Sequence, residues 1–325
     1  MNLRESVVGG LGHPVHAVSS TDAQPAARAG VLYAVGAYGL WGVFPIYFKV
    51  VRHVPALEVL AHRIIWSLAL LLVLIAARHD WPALRAALRQ RRTFITLLAT
   101  TLLIAANWLL FIWAVAHDYV LQASLGYFIN PLVNVLLGFV FLRERLRRWQ
   151  TVAVILAASG VGYMTVAGGC FPGMALFLAG SFGFYGLLRK VANVEALIGL
   201  TIETGLLTPP ALAFLSYRMV VGQAVFGSRL DMSLILLLAG VITATPLLWF
   251  SQAARRLRLA TLGFIQYLSP TGHFVLAVVA FGEPFTSAHL VTFGCIWVAL
   301  AIYTIDTARA ARPSAVSAAS NPPLE

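Results

Sequence analysis

Runs of roughly 20 consecutive apolar residues recur from one end of this sequence to the other, the length a helix needs to cross about 30 Å of hydrocarbon at 1.5 Å per residue. Of 325 residues, 60% are hydrophobic and 11% charged, whereas an ordinary soluble domain carries about 25% charged residues. A water-soluble fold of this size could not bury so much apolar surface. The expected fold class is an all-α membrane protein with ten transmembrane helices. Its spans are expected at about 30–50, 57–77, 94–116, 121–142, 149–167, 172–189, 197–217, 232–252, 261–281 and 286–305.

The net charge of +11 does not point to nucleic acid, because the basic residues sit in short loops between apolar runs rather than on one face. Their distribution sets orientation instead. The two tails and the loops at 78–92, 143–148, 189–190 and 255–258 hold 18 of the 23 Lys and Arg residues; the alternate loops hold only Lys49, Arg52, Arg218 and Arg229. Both termini are therefore expected in the cytoplasm, at the inner membrane. Residues 1–29 and 306–325, rich in Ala and Ser, are expected to be disordered cytoplasmic tails, and the first has no apolar core of a cleavable signal peptide. Cys170 and Cys295 are too few and too isolated for a disulfide framework or a metal site.

Residues 123–163 and 260–303 are alike. Both open with Ala-Ser/Thr-Leu-Gly-aromatic, and Pro131 precedes Glu144 by 13 residues, as Pro270 precedes Glu283. The first span ends YGLWGVFPIYFKV and the sixth FGFYGLLRKV, each with an aromatic-Gly pair before one of the only two lysines, Lys49 and Lys190. The repeat unit is five helices, residues 30–167 and 172–305. An odd number turns the second unit over in the membrane, which is the arrangement of alternating-access carriers.

The stretches YGLWGVFPIYFK, Glu58 with His62-Arg63-Ile64-Ile65-Trp66-Ser67, Asn107-Trp108, ASLGYFINPLVNVLLG and SFGFYGLLRK together resemble the RarD proteins, within the EamA-type drug/metabolite transporter superfamily, over about residues 32–305. The resemblance implies a ten-helix inner-membrane transporter with inverted five-helix repeats, in a family tied by name to chloramphenicol sensitivity. The sequence departs from it at His273, where an apolar or small residue is expected, and in its longer N-terminal tail.

Ionisable side chains at membrane depth cost at least about 2.5–3.5 kcal/mol on insertion scales and so mark candidate sites. Lys49, Glu58, His62 and Arg63 are expected to cluster in the outer half of the membrane as one charged gate. Lys190 and Glu203 are expected in the inner half as another, with Glu203 standing where Arg63 stands in the first repeat. A satisfied structural ion-pair network is the alternative reading of the first cluster, as is a simple reach to the interface for Lys49 and Glu58. Between them, a solute cavity is expected to be lined by Trp41, Tyr47, Asn107, Trp108, Tyr127, Asn130 and Asn134 from the first repeat. The second repeat would add Tyr185, Trp249, Gln252, Gln266, Tyr267 and His273. Ordinary helix-helix hydrogen bonding accounts for the amides equally well. Pro131, Pro246 and Pro270 are expected to break helices near the cavity, and Gly126, Gly138, Gly160, Gly162, Gly263 and Gly294 to let helices pack closely.

Aromatic walls suit an amphipathic or zwitterionic organic solute better than a bare ion. The sequence has no HExxH, GxSxG or GxxxxGK[ST], so neither an enzyme nor a direct user of ATP is expected, and no cofactor or metal. A secondary transporter remains, with the lipid bilayer and a small organic solute as its partners. Glu58, Glu203, His62 and His273 are the groups that could carry a coupling proton. An uncoupled facilitator is the alternative, ahead of a non-transporting membrane protein.

Overall fold

The computed structural model describes residues 20–310 apart from 144, 168, 170, 193, 258–260 and 263–264. The expectations for residues 1–19 and 311–325, and for Glu144, Cys170 and Gly263, fall outside it. The described residues form helices and no strands: α1 (Ser20–Val50), α2 (Ala56–Ala77), α3 (Trp81–Arg89), α4 (Arg91–Ala116), α5 (Val120–Leu142), α6 (Arg148–Ala167), α7 (Gly173–Ala192), α8 (Ala196–Val220), α9 (Leu230–Arg256), α10 (Leu268–Val275) with a π-helical turn, Leu276–Ala280, and α11 (Ser287–Ala310).

Eight helices, α1, α2, α4, α5, α6, α8, α9 and α11, are long and apolar enough to cross a membrane. The other two expected spans hold shorter apolar helices, Gly173–Arg189 and Leu268–Ala280, so among the described residues length and composition alone identify eight of the ten expected spans. The ninth expected span is interrupted where the chain turns at Gln266 and Tyr267, and it ends near its expected limit, before Gly282, whose φ of +65° is open to glycine at no steric cost. Helix α1 starts ten residues before the expected span, in an Ala-rich stretch of high helix propensity. Helix α3 was not expected at all. Its signal lies in the loop sequence: Asp80 at the cap followed at once by Trp81 and Pro82.

Helix ends follow local chemistry. Pro55, at φ −52°, opens α2, and His79, Asp118 and Arg143 take the left-handed conformation at the ends of α2, α4 and α5, where glycine is the usual residue. Contrary to expectation, α5 runs on through Pro131 and α9 through Pro246. Pro270 lies in the first turn of α10, and its carbonyl accepts a hydrogen bond from Ser124 of α5 at 2.9 Å.

Helix α1 packs on α9 and α10, α2 on α8 and α9, α4 on α7 and α8, α5 on α7 and α10, and α6 on α11. Helices α2 and α8 are antiparallel, because Arg218 reaches Glu58 at one end (3.1 Å) and Arg78 reaches Glu195 at the other (3.0 Å). The core of Phe44, Phe48, Phe111, Leu125, Phe128 and Phe293 is shared among α1, α4, α5 and α11. Outward-facing Leu32, Val73, Ile155 and Val166 are at least 60% exposed, an apolar exterior that lipid, not water, would cover.

Two crossings are so close that only glycine fits. A Cβ on Gly126 would lie 2.6 Å from the Ala175 carbonyl oxygen, and one on Gly240 would lie 2.5 Å from the Trp66 backbone. Gly160 likewise faces Cys295 and Thr292, but Gly162 and Gly294 face open space, so the close-packing expectation does not hold for them. Gly126→Val and Gly240→Val should each lower unfolding stability by about 1–3 kcal/mol, since backbone cannot yield as a side-chain tip can. Gly162→Val should leave the thermal midpoint of the purified chain unchanged, and equal melting of all three would contradict this packing.

Candidate functional site

Arg63 stands eight residues after the Pro55 cap of α2, two turns into the helix, and is only 5% exposed. Its Nε–H donates to Thr243 Oγ1 of α9 at 2.8 Å. Its guanidinium lies over the Trp108 ring at 4.1 Å, with the rings of Phe44 and Phe48 each at 5.9 Å. Tyr47 and Tyr127 are within electrostatic reach. A cation above an aromatic face is attracted by its quadrupole, by about 2 kcal/mol when desolvated. Among the described residues no carboxylate approaches Arg63 within ion-pair distance.

The expected four-residue cluster of Lys49, Glu58, His62 and Arg63 is divided. Glu58 is fully buried, accepting from Arg218 at 3.1 Å and from the Val225 amide at 2.8 Å, which pins the loop after α8 to α2. Lys49 instead pairs with Asp118 and lies 4.9 Å above the Phe281 ring. Beside it, Glu283 accepts from the Val120 and Leu121 amides at 2.8 and 2.7 Å, capping the otherwise unsatisfied first turn of α5. Burial raises the Glu283 carboxyl above the usual carboxylate range, opposed by those two amides and by Lys49. His62 stacks on Phe226 at 4.8 Å, and neither ring nitrogen has a hydrogen-bond partner among the described residues.

Glu203 is 1% exposed and stands eight residues after the Glu195 cap of α8, the register of Arg63 in α2. It accepts from Thr100 at 2.7 Å and Tyr185 at 3.2 Å, with Arg189 Nη1 at 3.8 Å. The Lys190 side chain lies outside the described residues. Because α2 and α8 are antiparallel, the two buried charges lie toward opposite ends. Arg63 is five residues from Glu58, and Glu203 fifteen from Arg218, so they are separated by about 15 Å along the helix axes.

The expected cavity residues fall into three groups. Trp41, Tyr47, Asn107, Trp108, Tyr127 and His273 gather near Arg63. His273 Nε2 bonds to the Trp41 carbonyl at 2.9 Å, Tyr127 sits 5.7 Å from the His273 ring, and Tyr47 donates to the Ile235 carbonyl at 3.1 Å. Asn107 donates to the Leu178 carbonyl at 3.0 Å and to Ser181 at 2.9 Å, so it ties α4 to α7. Tyr185 belongs to Glu203. The remainder lie apart: Asn134 is exposed and Asn130 half-buried with its carbonyl oxygen unpartnered, while Trp249 packs against Gly36. Gln252 accepts from Arg256 at 2.5 Å, Gln266 sits in the turn before α10, and Tyr267 lines a groove of about 380 Å³ with Phe128 and Trp297. Sequence reasoning missed Thr243, Thr100, Asp118, Arg189 and Arg218 as partners. Arg189 and Arg218 fall in the loops of the Lys/Arg count, Asp118 lies at the edge of an apolar run, and an isolated threonine carries no signal. No group of three metal-ligating side chains converges among the described residues.

Residues 28–166 match the model of the EamA-like transporter family. A Vibrio cholerae protein named as an uncharacterized transporter is 47% identical, over 89% of this chain and 96% of its own. Protein RarD of Escherichia coli is 48% identical, over 86% and 95%. A Pseudomonas aeruginosa protein named chloramphenicol-sensitive protein RarD is 35% identical, over 88% and 97%. One solved crystal structure superposes with a TM-score of 0.56 at 19% identity, covering 88% of this chain and 99% of that one, a likeness of fold alone.

Glu58→Ala should destabilise the chain by about 3–5 kcal/mol, because it leaves the partly buried Arg218 without its counter-ion and the Val225 amide without an acceptor. Thermal unfolding in detergent measures this; a change below about 1 kcal/mol would show that the pair is not holding α2 to the loop after α8.

Proposed function

Because the chain belongs to the RarD proteins of the EamA-like transporter family, we propose that it carries a small amphipathic or zwitterionic organic solute across the bacterial membrane by alternating access between two inverted five-helix halves. It is a multi-pass membrane transporter, and the finer reading rests on one observation above the others. Arg63 and Glu203, opposite in charge and buried, occupy the same register on two antiparallel helices and lie toward opposite ends. Each is the centre of a gate, Arg63 with its aromatic neighbours and Glu203 with Thr100, Tyr185 and Arg189.

The packing supports the inverted halves, residues 30–167 and 172–305. The contact of α1 with α9 is matched by that of α7 with α4, and the contact of α5 with α7 by that of α10 with α1. Two halves related by a two-fold axis in the membrane plane would produce such exchanged pairs. Both termini lie in the cytoplasm on the Lys/Arg bias of the loops. Glu203 carries the coupling proton, since a buried carboxylate held by a threonine, a tyrosine and a loosely placed arginine can exist in either protonation state. The solute sits between the gates, against Trp108, Tyr127 and His273. The name of the Pseudomonas relative places chloramphenicol among the solutes to be tried.

Proteoliposomes holding the full chain test this reading. Arg63→Ala and Glu203→Ala should each cut solute flux to below about a tenth of wild type at equal membrane levels, as expected when a gating charge is lost from the bilayer. Flux near wild type in both variants refutes the gates. Glu203→Gln should abolish the response to an imposed pH gradient while sparing solute exchange, and a retained response removes the proton from that residue.

A further inference from the structure

Among the described residues the buried charges are satisfied with one exception. Glu58 has Arg218 and the Val225 amide, Glu203 has Thr100 and Tyr185, and Glu283 has two α5 amides. Arg63 is the one buried cation among the described residues, and its single hydrogen bond there is from Nε to Thr243. Trp108 covers a face of the guanidinium. What remains is the Nη edge, two parallel N–H donors whose spacing matches the two oxygens of a carboxylate. A buried guanidinium without an anion is costly, and a cation-π contact offsets only part of that cost.

From this geometry we infer that Arg63 is the solute's binding residue and that the solute is an organic anion whose carboxylate docks on the free edge of Arg63 while its apolar body lies against the aromatic side chains around it. This rests on the transport reading of the same site and narrows its solute class. One guanidinium balances one negative charge, and no second cation is buried near it among the described residues, so a monoanion fits better than a phosphate dianion. Thr243 is a positioning residue. By fixing Nε it sets which edge of the fork is presented.

The charge series of the ligand tests this without altering the protein. Purified full-length chain in nanodiscs is titrated, at constant ionic strength, with cyclohexanecarboxylate and phenylacetate, their amides, cyclohexylmethylammonium and phenyl phosphate, and binding is read from tryptophan fluorescence and thermal shift. The carboxylates should bind saturably and at least about tenfold more tightly than the amides, the discrimination expected of a charge-assisted bidentate contact. Arg63→Gln should erase the difference in a chain that remains monodisperse, and Arg63→Lys should keep part of it. The inference is overturned if an amide, the ammonium or the phosphate binds as well as the carboxylates. It is equally overturned if no carboxylate binds up to its solubility limit, or if folded Arg63→Gln keeps the preference. Flux of the same probes in proteoliposomes separates the two readings. Carboxylates that bind through Arg63 but never cross defeat transport and leave the anion site standing; neutral probes that cross faster than carboxylates do the reverse.

Discussion

A charged or hydrogen-bonding group taken out of water into hydrocarbon must find its partner inside the protein, because the lipid offers none. That constraint fixes much of this structure. Glu58 with Arg218, Thr100 with Glu203, Arg63 with Thr243, Asn107 with Ser181, Leu121 with Glu283, Ser124 with Pro270 and Trp41 with His273 all join a residue before 167 to one after 172. Dispersion forces can press helices together in many rotations and registers. Directional polar bonds select one, and here they select the one in which the two stretches of chain face each other.

The helices were legible in the sequence because they depend on local apolar runs, and a run of 20 such residues has few alternatives. The places where the reading failed depend on geometry between helices or on the turn chemistry of a few residues. The interruption at Gln266 and Tyr267 leaves hydropathy unchanged, so it was invisible there. Helix α3 is masked by its own Arg85 and Arg89, which read as loop charge, although Asp80 and Pro82 mark a helix start. Pro131 and Pro246 do not break their helices, because inside a packed membrane helix a missing N–H is tolerated when neighbours support the backbone.

The site was half legible. Charges in an apolar run stand out, so Arg63, Glu58 and Glu203 were found. Their partners did not stand out. Spacing along α2, with Lys49 ending the preceding span, suggests that Lys49, Glu58, His62 and Arg63 meet, yet Lys49 turns to Asp118, whose backbone at the end of α4 is left-handed. Arg218 was assigned to a loop, and only the antiparallel crossing of α2 and α8 brings it to Glu58. Pairing between helices far apart in sequence is a property of the fold and is not written in any one segment.

The matched positions of Arg63 and Glu203 have an electrostatic consequence. With Glu203 ionised, two buried groups of opposite sign, the negative one with Arg189 3.8 Å away, stand at different depths along antiparallel helices. The transmembrane voltage acts on them with a sign that depends on which way the protein is inserted, at about 2.3 kcal/mol per elementary charge moved through 100 mV. On the proposed alternating-access reading, a rearrangement that shifts Arg63 relative to an ionised Glu203 along the membrane normal would be coupled to the resting potential, and energising the membrane would then favour one conformer over the other.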